Sequence, residues 1–329
     1  MRNKWIAVLL AALMLVLVTG CGTTGATDGD QPVKVAGLMD GPISDMGWNA
    51  SAYSGLQKIE ALGAEISFVE SVPVSDHEET LINYAESGFQ LIIANSDSFQ
   101  DAVMRVSPSY PDVQFIIING RETTGNVRSF QIADEEQGFM MGAIAALTTE
   151  TGTVGFVGGM EIPPIINGEI GFHEGVKYVN SGLKVLSTLT GNFHDAAQAK
   201  GVADAMVDNG ADVLAPMADV ASLGVMEAAE ERGIYAVAPG LGQEESAPNA
   251  TLITVIKDTS VAFEVAYKLF LDGALEEKIY SMGAADGIIS LSGWYPGAED
   301  KVSDEVKDQV QAIYDDLAAG TIKVDKSMS

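Results

Sequence analysis

Cysteine is all but missing from this 329-residue chain, whose one thiol is Cys21. A single thiol excludes an intrachain disulfide framework and any zinc site built on several thiolates. Basic residues are scarce, 18 against 46 acidic ones, for a net charge of −28. Such a chain repels phosphate backbones, which argues against nucleic-acid binding through a basic face. Long apolar runs are lacking too: Trp5 to Val18 spans fourteen residues, short of the ~20 of a bilayer span. The three histidines, His77, His173 and His194, have no metal-like spacing. There is no GxSxG elbow and no GxxxxGK[ST] phosphate loop. Gly152, Gly155, Gly158 and Gly159 loosely evoke a dinucleotide loop, but Ile162-Pro163-Pro164 stands where a tight helix start belongs. No enzyme activity, metal or cofactor is therefore expected. What is present is 47% apolar residues, 19% charged ones and 35 dispersed glycines, the composition of a globular chain of about two domains at ~100–200 residues each.

The first twenty residues read as an address. Arg2 and Lys4 form a short positive region ahead of the apolar run, as in a signal peptide. The run ends in Val18-Thr19-Gly20-Cys21, which resembles the lipobox of bacterial lipoproteins: small residues admit the peptidase and the thiol takes the diacylglyceryl group. Cys21 is thus the expected lipidation site, and loss of Arg2 and Lys4 with the leader takes the net charge from −28 to −30. Residues 21–32 are small and polar and read as a flexible tether.

From Val33 onward, β-rich runs alternate with amphipathic helical stretches, the pattern of parallel α/β sheets. The first half predicts strands over 33–39, 65–69, 90–94 and 113–118, with helices over 48–62, 76–87 and 99–106. The second half repeats the order, with strands over 153–157, 184–189, 212–216 and 235–238 and helices over 165–180, 196–209 and 221–232. The punctuation repeats as well: Gly88 before Leu91-Ile92-Ile93 parallels Gly210 before Asp212-Val213-Leu214, each a helix C-terminus leading into a buried strand. Two such units imply two lobes with a ligand cleft between their strand C-terminal edges. The rest, a strand over 251–256, a helix over 260–272, a strand over 288–291 and a helix over 303–319, would cross between the lobes and permit closure.

After the first strand, Gly41-Pro42-Ile43-Ser44-Asp45-Met46-Gly47-Trp48-Asn49 sits where a cleft loop belongs. Asp45 can accept hydrogen bonds, Trp48 offers a stacking face and Asn49 offers both donor and acceptor. The alternative is that Ser44 or Asp45 caps the following helix and Trp48 is its buried first turn.

With the lipobox, this loop resembles the basic membrane protein family, the PnrA-like purine-nucleoside-receptor lipoproteins that serve ABC importers. Ser98–Gly120, Asp134–Gly142 (DEEQGFMMG), Val154–Pro164 (VGFVGGMEIPP), Gly171-Phe172-His173-Glu174-Gly175-Val176-Lys177, Gly210-Ala211-Asp212-Val213 and Thr254-Val255-Ile256-Lys257 extend the resemblance across roughly residues 33–324. It implies an α/β type I periplasmic-binding-protein fold, two Rossmann-like lobes with parallel sheets joined by hinge strands. The expected division places 33–146 plus about 257–287 in lobe one and 147–256 plus about 288–324 in lobe two.

The resemblance further implies a purine held between aromatic side chains by acidic and amide groups, with a lysine and an aspartate reaching the ribose. Asp45 and Asn49 match the first-loop contacts, and Trp48 falls where phenylalanine is usual. Asp134 matches an acidic position, with a helix cap as the alternative; Phe172 is the candidate to stack from lobe two, with core packing as the alternative. Lys257, after an apolar strand, is an odd place for a cation unless it is paired or touches ligand. Where the family commonly reads G-V-D-x-D-Q, this chain has Ala238-Pro239-Gly240-Leu241-Gly242-Gln243, so both aspartates become glycine. Asp219 is the candidate substitute carboxylate. The expectation is a non-enzymatic, lipid-anchored extracytoplasmic receptor that delivers a purine nucleoside or nucleobase to an ABC permease. The alternatives are a receptor for another flat heterocycle such as riboflavin, a ligand-sensing surface lipoprotein without transport, or a surface hydrolase on this scaffold.

Overall fold

The computed structural model of the protein describes residues 31–45, 47–240, 242–299 and 301–325. The expected leader, the lipidation site Cys21 and nearly all of the tether lie outside these residues.

Two six-stranded sheets carry the fold. The first comprises β1 (Lys34–Leu38), β2 (Glu65–Val69), β3 (Leu91–Ala94), β4 (Gln114–Ile118), β5 (Val127–Ile132) and β11 (Ile279–Met282). Its order is β11-β5-β4-β3-β1-β2, and every pairing is parallel. The second comprises β6 (Thr153–Gly158), β7 (Lys184–Leu189), β8 (Val213–Met217), β9 (Tyr235–Ala238), β10 (Thr251–Lys257) and β12 (Ile289–Leu291). Its order, β12-β10-β9-β8-β6-β7, repeats the first strand for strand, with the β10–β12 pairing antiparallel. Central strands such as Leu91-Ile92-Ile93-Ala94 are buried on both faces, because helices cover both sides of a parallel sheet. This is the α/β, two-lobed architecture expected from the sequence.

The helices follow the predicted alternation. The first sheet carries α1 (Trp48–Ala61), α2 (His77–Glu86) and α3 (Gln100–Val106). After β5 comes α4 (Asp134–Thr148), and the second sheet carries α5 (Pro163–Val179), α6 (Ala196–Asp208) and α7 (Ser222–Arg232). A further helix, α8 (Ser260–Leu271), packs on α1, and a terminal helix spans Asp304–Ala318.

Two strands of the first sheet escape sequence reading. In β5, Arg128, Ser129 and Gln131 interrupt the apolar pattern, yet Arg128 is buried and spends its guanidinium on the carbonyls of Gly125, Val127 and Leu275. β11 is a short edge strand defined by its pairing with β5 alone. The helix α4 also differs from expectation. It packs against α5, β8, β9 and β10, all elements of the second sheet, whereas the sequence boundary keeps residues up to 146 with the first lobe. The chain leaves the first sheet at Ala133, returns between Lys257 and Ser260, and crosses a third time between Met282 and Ile289.

The α4–α5 contact explains a cluster of glycines. A Cβ on Gly138 would overlap the Gly168 carbonyl, one on Gly142 the Phe172 carbonyl, one on Gly171 the Glu135 carbonyl and one on Gly175 the Phe139 carbonyl. Backbone lies against backbone along the whole crossing, and no larger residue fits. This pairing builds the second half's floor beneath the cleft.

Candidate ligand-binding cleft

Ligands of parallel α/β sheets sit beyond the strand C-termini, and there a cavity of about 680 Å³ opens between loops of the two sheets. That volume lies within the ~300–1,000 Å³ usual for small-molecule sites. From the first sheet the loop after β1 supplies Asp40, Asp45, Trp48 and Asn49; from the second, the loops after β7, β8 and β9 supply Phe193, Asp219 and Gln243. Lys257 lines the cavity at the crossing after β10.

Asp45 organises the first loop. Its carboxylate accepts from the backbone N–H groups of Gly47 (2.9 Å), Asn49 (2.7 Å) and Ala50 (2.9 Å), and from the Asn49 side-chain amide (2.9 Å). These are the orphan donors at the start of α1, so Asp45 caps that helix in the manner of an N-terminal carboxylate, a contribution of ~1 kcal/mol. The capping alternative therefore describes Asp45's contacts, and its acceptors are largely consumed. Trp48 begins the helix as expected, half-buried, with its indole N–H donating to the Asn95 carbonyl at 2.7 Å. Asn49, buried, accepts from the Asn95 side chain at 3.3 Å. The indole is thus anchored through its N–H, and Trp48 lines the cavity.

Lys257 is paired as well as exposed to the cavity. Its ammonium lies 2.7 Å from the Asp134 carboxylate and 5.5 Å from the centre of the Trp48 ring. Asp134 sits in the first turn of α4, where the helix dipole favours a carboxylate, and it does not itself line the cavity. Next to it Gln137 donates to the carbonyls of Pro239 (2.8 Å) and Val255 (2.9 Å), tying α4 to the loop after β9. The crossing segments and the cavity wall are one hydrogen-bonded unit.

Asp219 reaches the cavity from a left-handed backbone conformation, φ 52°, which non-glycine residues seldom adopt. It approaches the first sheet's loop so closely that a Cβ on Gly47 would stand 2.7 Å from its Oδ1. Burial, reinforced by the negative charges of Asp45 and Asp40 and only partly offset by Lys257, pushes its pKa up to about 7. Asp40 is raised above its ordinary value by burial too, against the opposing bonds of Ser96 and Asn49. Two other lining aspartates are committed elsewhere. Asp258 is part-buried, but bonds from Ser260 and Ser51 and the charge of Lys58 hold it below its ordinary value. Asp97 faces Arg121 at 3.7 Å. Among the described residues no group of three metal-ligating side chains occurs.

Of the residues singled out from sequence, Asp45, Trp48, Asn49, Asp219 and Lys257 line the cavity and Asp134 stands behind Lys257. Phe172 does not join them. It is fully buried on α5, its ring 5.5 Å from that of Phe156. The helix touches the cavity at Ile165, and Phe172, seven residues further along, lies ~10 Å deeper at 1.5 Å rise per residue. The aromatic that lines the cavity from the second half is Phe193, in the loop between β7 and α6, packed on Gly159, where a side chain would displace the ring. The signal for it was present in the sequence: a lone aromatic in the Gly191-Asn192-Phe193 turn at a strand's C-terminal edge. Asp40, Gln137 and Gln243 were also passed over.

Two sheets of matching strand order, three crossings and a cavity lined by aromatic, apolar and carboxylate side chains from both halves define a solute-binding protein of the type I periplasmic-binding kind. A solute-binding protein of an ABC transporter system from Aeropyrum pernix superposes with a TM-score of 0.77 at 25% identity, covering 91% of this chain and 94% of that one. Residues 32–327 match the family described as ABC transporter substrate-binding protein, PnrA-like, and the chain belongs to that family. Among curated relatives, a purine-binding protein of Brucella abortus is 25% identical over 91% of this chain and 87% of its own length. The nucleoside-binding protein BmpA of Lactococcus lactis, of an ABC transporter, is 32% identical over 70% of this chain and 69% of its own.

Proposed function

We propose that the protein is the lipid-anchored, extracytoplasmic receptor of an ABC importer, and that its cavity takes a purine nucleoside or nucleobase. One observation carries the reading: Trp48 and Phe193, from opposite sheets, line one cavity in which carboxylates, Asn49, Gln243 and Lys257 stand among apolar side chains such as Ile165, Met217 and Ile256. A flat heterocycle fits that arrangement, since stacking is worth ~1–3 kcal/mol per base face and the polar edges need directed partners. Asp45, Trp48, Asn49, Asp219 and Lys257 are the proposed contacts from the sequence, with Asp40, Phe193 and Gln243 added by their positions. Asp134 acts through Lys257. The two bodies that would close on the ligand are 33–132 with 260–282, and 134–257 with 289–325. Cys21 is the proposed anchor, a membrane permease the proposed partner, and binding rather than catalysis the proposed activity, which the relatives' printed names support.

The test is native mass spectrometry of the purified protein with identification of released ligand, followed by thermal shift with adenine, guanine, adenosine, guanosine, inosine and riboflavin. A purine or its nucleoside is expected to raise the melting temperature, and Trp48→Ala and Phe193→Ala to weaken that ligand by about tenfold or more. If no purine raises it, the reading fails. A response to riboflavin alone would favour the larger heterocycle, for which Gly240 leaves open space.

A further inference from the structure

The cavity is rich in carboxylates, and one of them is left open. Five aspartates line it: Asp40, Asp45, Asp97, Asp219 and Asp258. Asp45 is filled by four N–H donors, Asp258 by two serines and Lys58, and Asp97 by Arg121. Asp40 has Ser96 and Asn49 beside it. The Asp219 carboxylate accepts no hydrogen bond from any described residue. Lys257, the lysine that lines the cavity, is already engaged by Asp134. A second and separate observation comes from Gln243, 3% exposed and lining the same cavity, whose buried Oε1 has no partner. A buried amide left unpaired is costly, and a ligand group is the partner that this position awaits.

We propose that Asp219 is the specificity-determining residue of the cleft, and that it selects flat heterocycles bearing an exocyclic amino group over their oxo or unsubstituted counterparts. This rests on the purine reading above and narrows it to a substrate class. The chemistry follows from the open carboxylate. In its ionised form, which prevails above about pH 7, it accepts only, so it pairs with an amino N–H and repels a carbonyl oxygen at the same place. Bound on the second half and facing Asp45 and Gly47 of the first, Asp219 also meets a ligand only as the two halves close over it. Its backbone supports the assignment: an aspartate held at φ 52° where glycine would sit without strain is a costly placement, of the kind that clusters at ligand sites. Burial raises its pKa, the like charges of Asp40 and Asp45 on the facing loop add to that, and the attraction of Lys257 opposes it. An amino group donated to Asp219 replaces the proton that those surroundings favour.

The experiment measures, by calorimetry on ligand-stripped protein, the affinities of adenosine against inosine, guanosine against inosine, and guanine against hypoxanthine. The unaltered protein is expected to prefer the aminated member of at least one pair by about tenfold, the scale of one hydrogen bond to a charged acceptor. In Asp219→Asn and Asp219→Gly, both of which suit a left-handed backbone, that preference should fall below about threefold, because the aminated member loses its acceptor and an oxo member is relieved of repulsion. Purine binding without amino preference, or a preference that survives in both variants, overturns the inference and leaves the purine reading intact. No binding of any member to the unaltered protein overturns both.

Discussion

The Asp134–Lys257 pair joins the start of α4 to the end of β10, at two of the three crossings. The perturbation that isolates it is Lys257→Met, which keeps most of the stem's volume and removes the charge. Asp134 is 3% exposed against 20% for Lys257, so the two partners are not equally dependent on one another. Removing the ammonium takes an ion-pair partner from a carboxylate in a nearly dry site, and breaking a buried pair in this way costs ~3–5 kcal/mol. The first-turn position on α4 tempers that by ~0.3–1 kcal/mol, which leaves an expected loss of about 2–4 kcal/mol. Asp134→Asn is the milder change. It frees an ammonium that has a flexible stem, the cavity before it and the Trp48 face at 5.5 Å, so about 1–2 kcal/mol is expected. The double variant should be more stable than Lys257→Met alone, with a coupling energy of ~1–3 kcal/mol. Urea denaturation of ligand-free protein at pH 7 reads all three. Equal losses for the two single variants, or strictly additive ones, would refute the reasoning and reduce Lys257 to a ligand contact with no structural partner.

Two further outcomes follow from the same geometry. Asp219 titrates near 3.8 when unfolded and about 7 when folded, so between those values the folded protein holds a proton that the unfolded chain has lost. Its contribution is therefore fully present below about pH 4 and is lost as pH rises through about 7, at most ~4 kcal/mol in all, less whatever opening of the cleft relieves. Asp219→Asn should accordingly gain melting temperature over the parent between pH 5 and pH 8, and a constant gap would count against the buried-carboxylate account. Gly138→Ala should cost more than ~3 kcal/mol in thermal denaturation, because its methyl meets the Gly168 backbone with no flexible side chain to yield. Gly201→Ala, in α6 with open space around it, should be neutral or stabilising by up to ~1 kcal/mol, and similar losses for both would show that the helix crossing is looser than described.

The repeat of strands and helices was legible because each unit buries its own apolar stripe, and local periodicity records that burial. The cleft loop after β1 was legible for a similar reason: Asp45, Trp48 and Asn49 lie within five residues, and their capping geometry is local. β5 was not, since Arg128 and Ser129 are buried only because Leu275, Gly125 and Glu122 bring carbonyls to them. Phe172 and Phe193 show the limit most plainly. Both are aromatics in the second half with glycine nearby, but Phe172 lies deep along α5 in the core whereas Phe193 stands in the loop after β7 at the cavity.

By itself the sequence determined the α/β class, the two related halves, the position of the first loop, with capping as one of its two readings, and a family resemblance across the chain. Each of those is written in residues a few positions apart, where spacing and conformational preference act directly. The tertiary structure alone decided that α4 belongs with the second sheet, because its apolar surface and glycines suit close packing without saying against what. It also decided which carboxylates remain open. Asp45 and Asp219 are the same residue type in the same cavity, but one is filled by the helix it caps and the other is brought across to it from the opposite half. That difference is a matter of distance between loops far apart in the chain, and no local pattern encodes it.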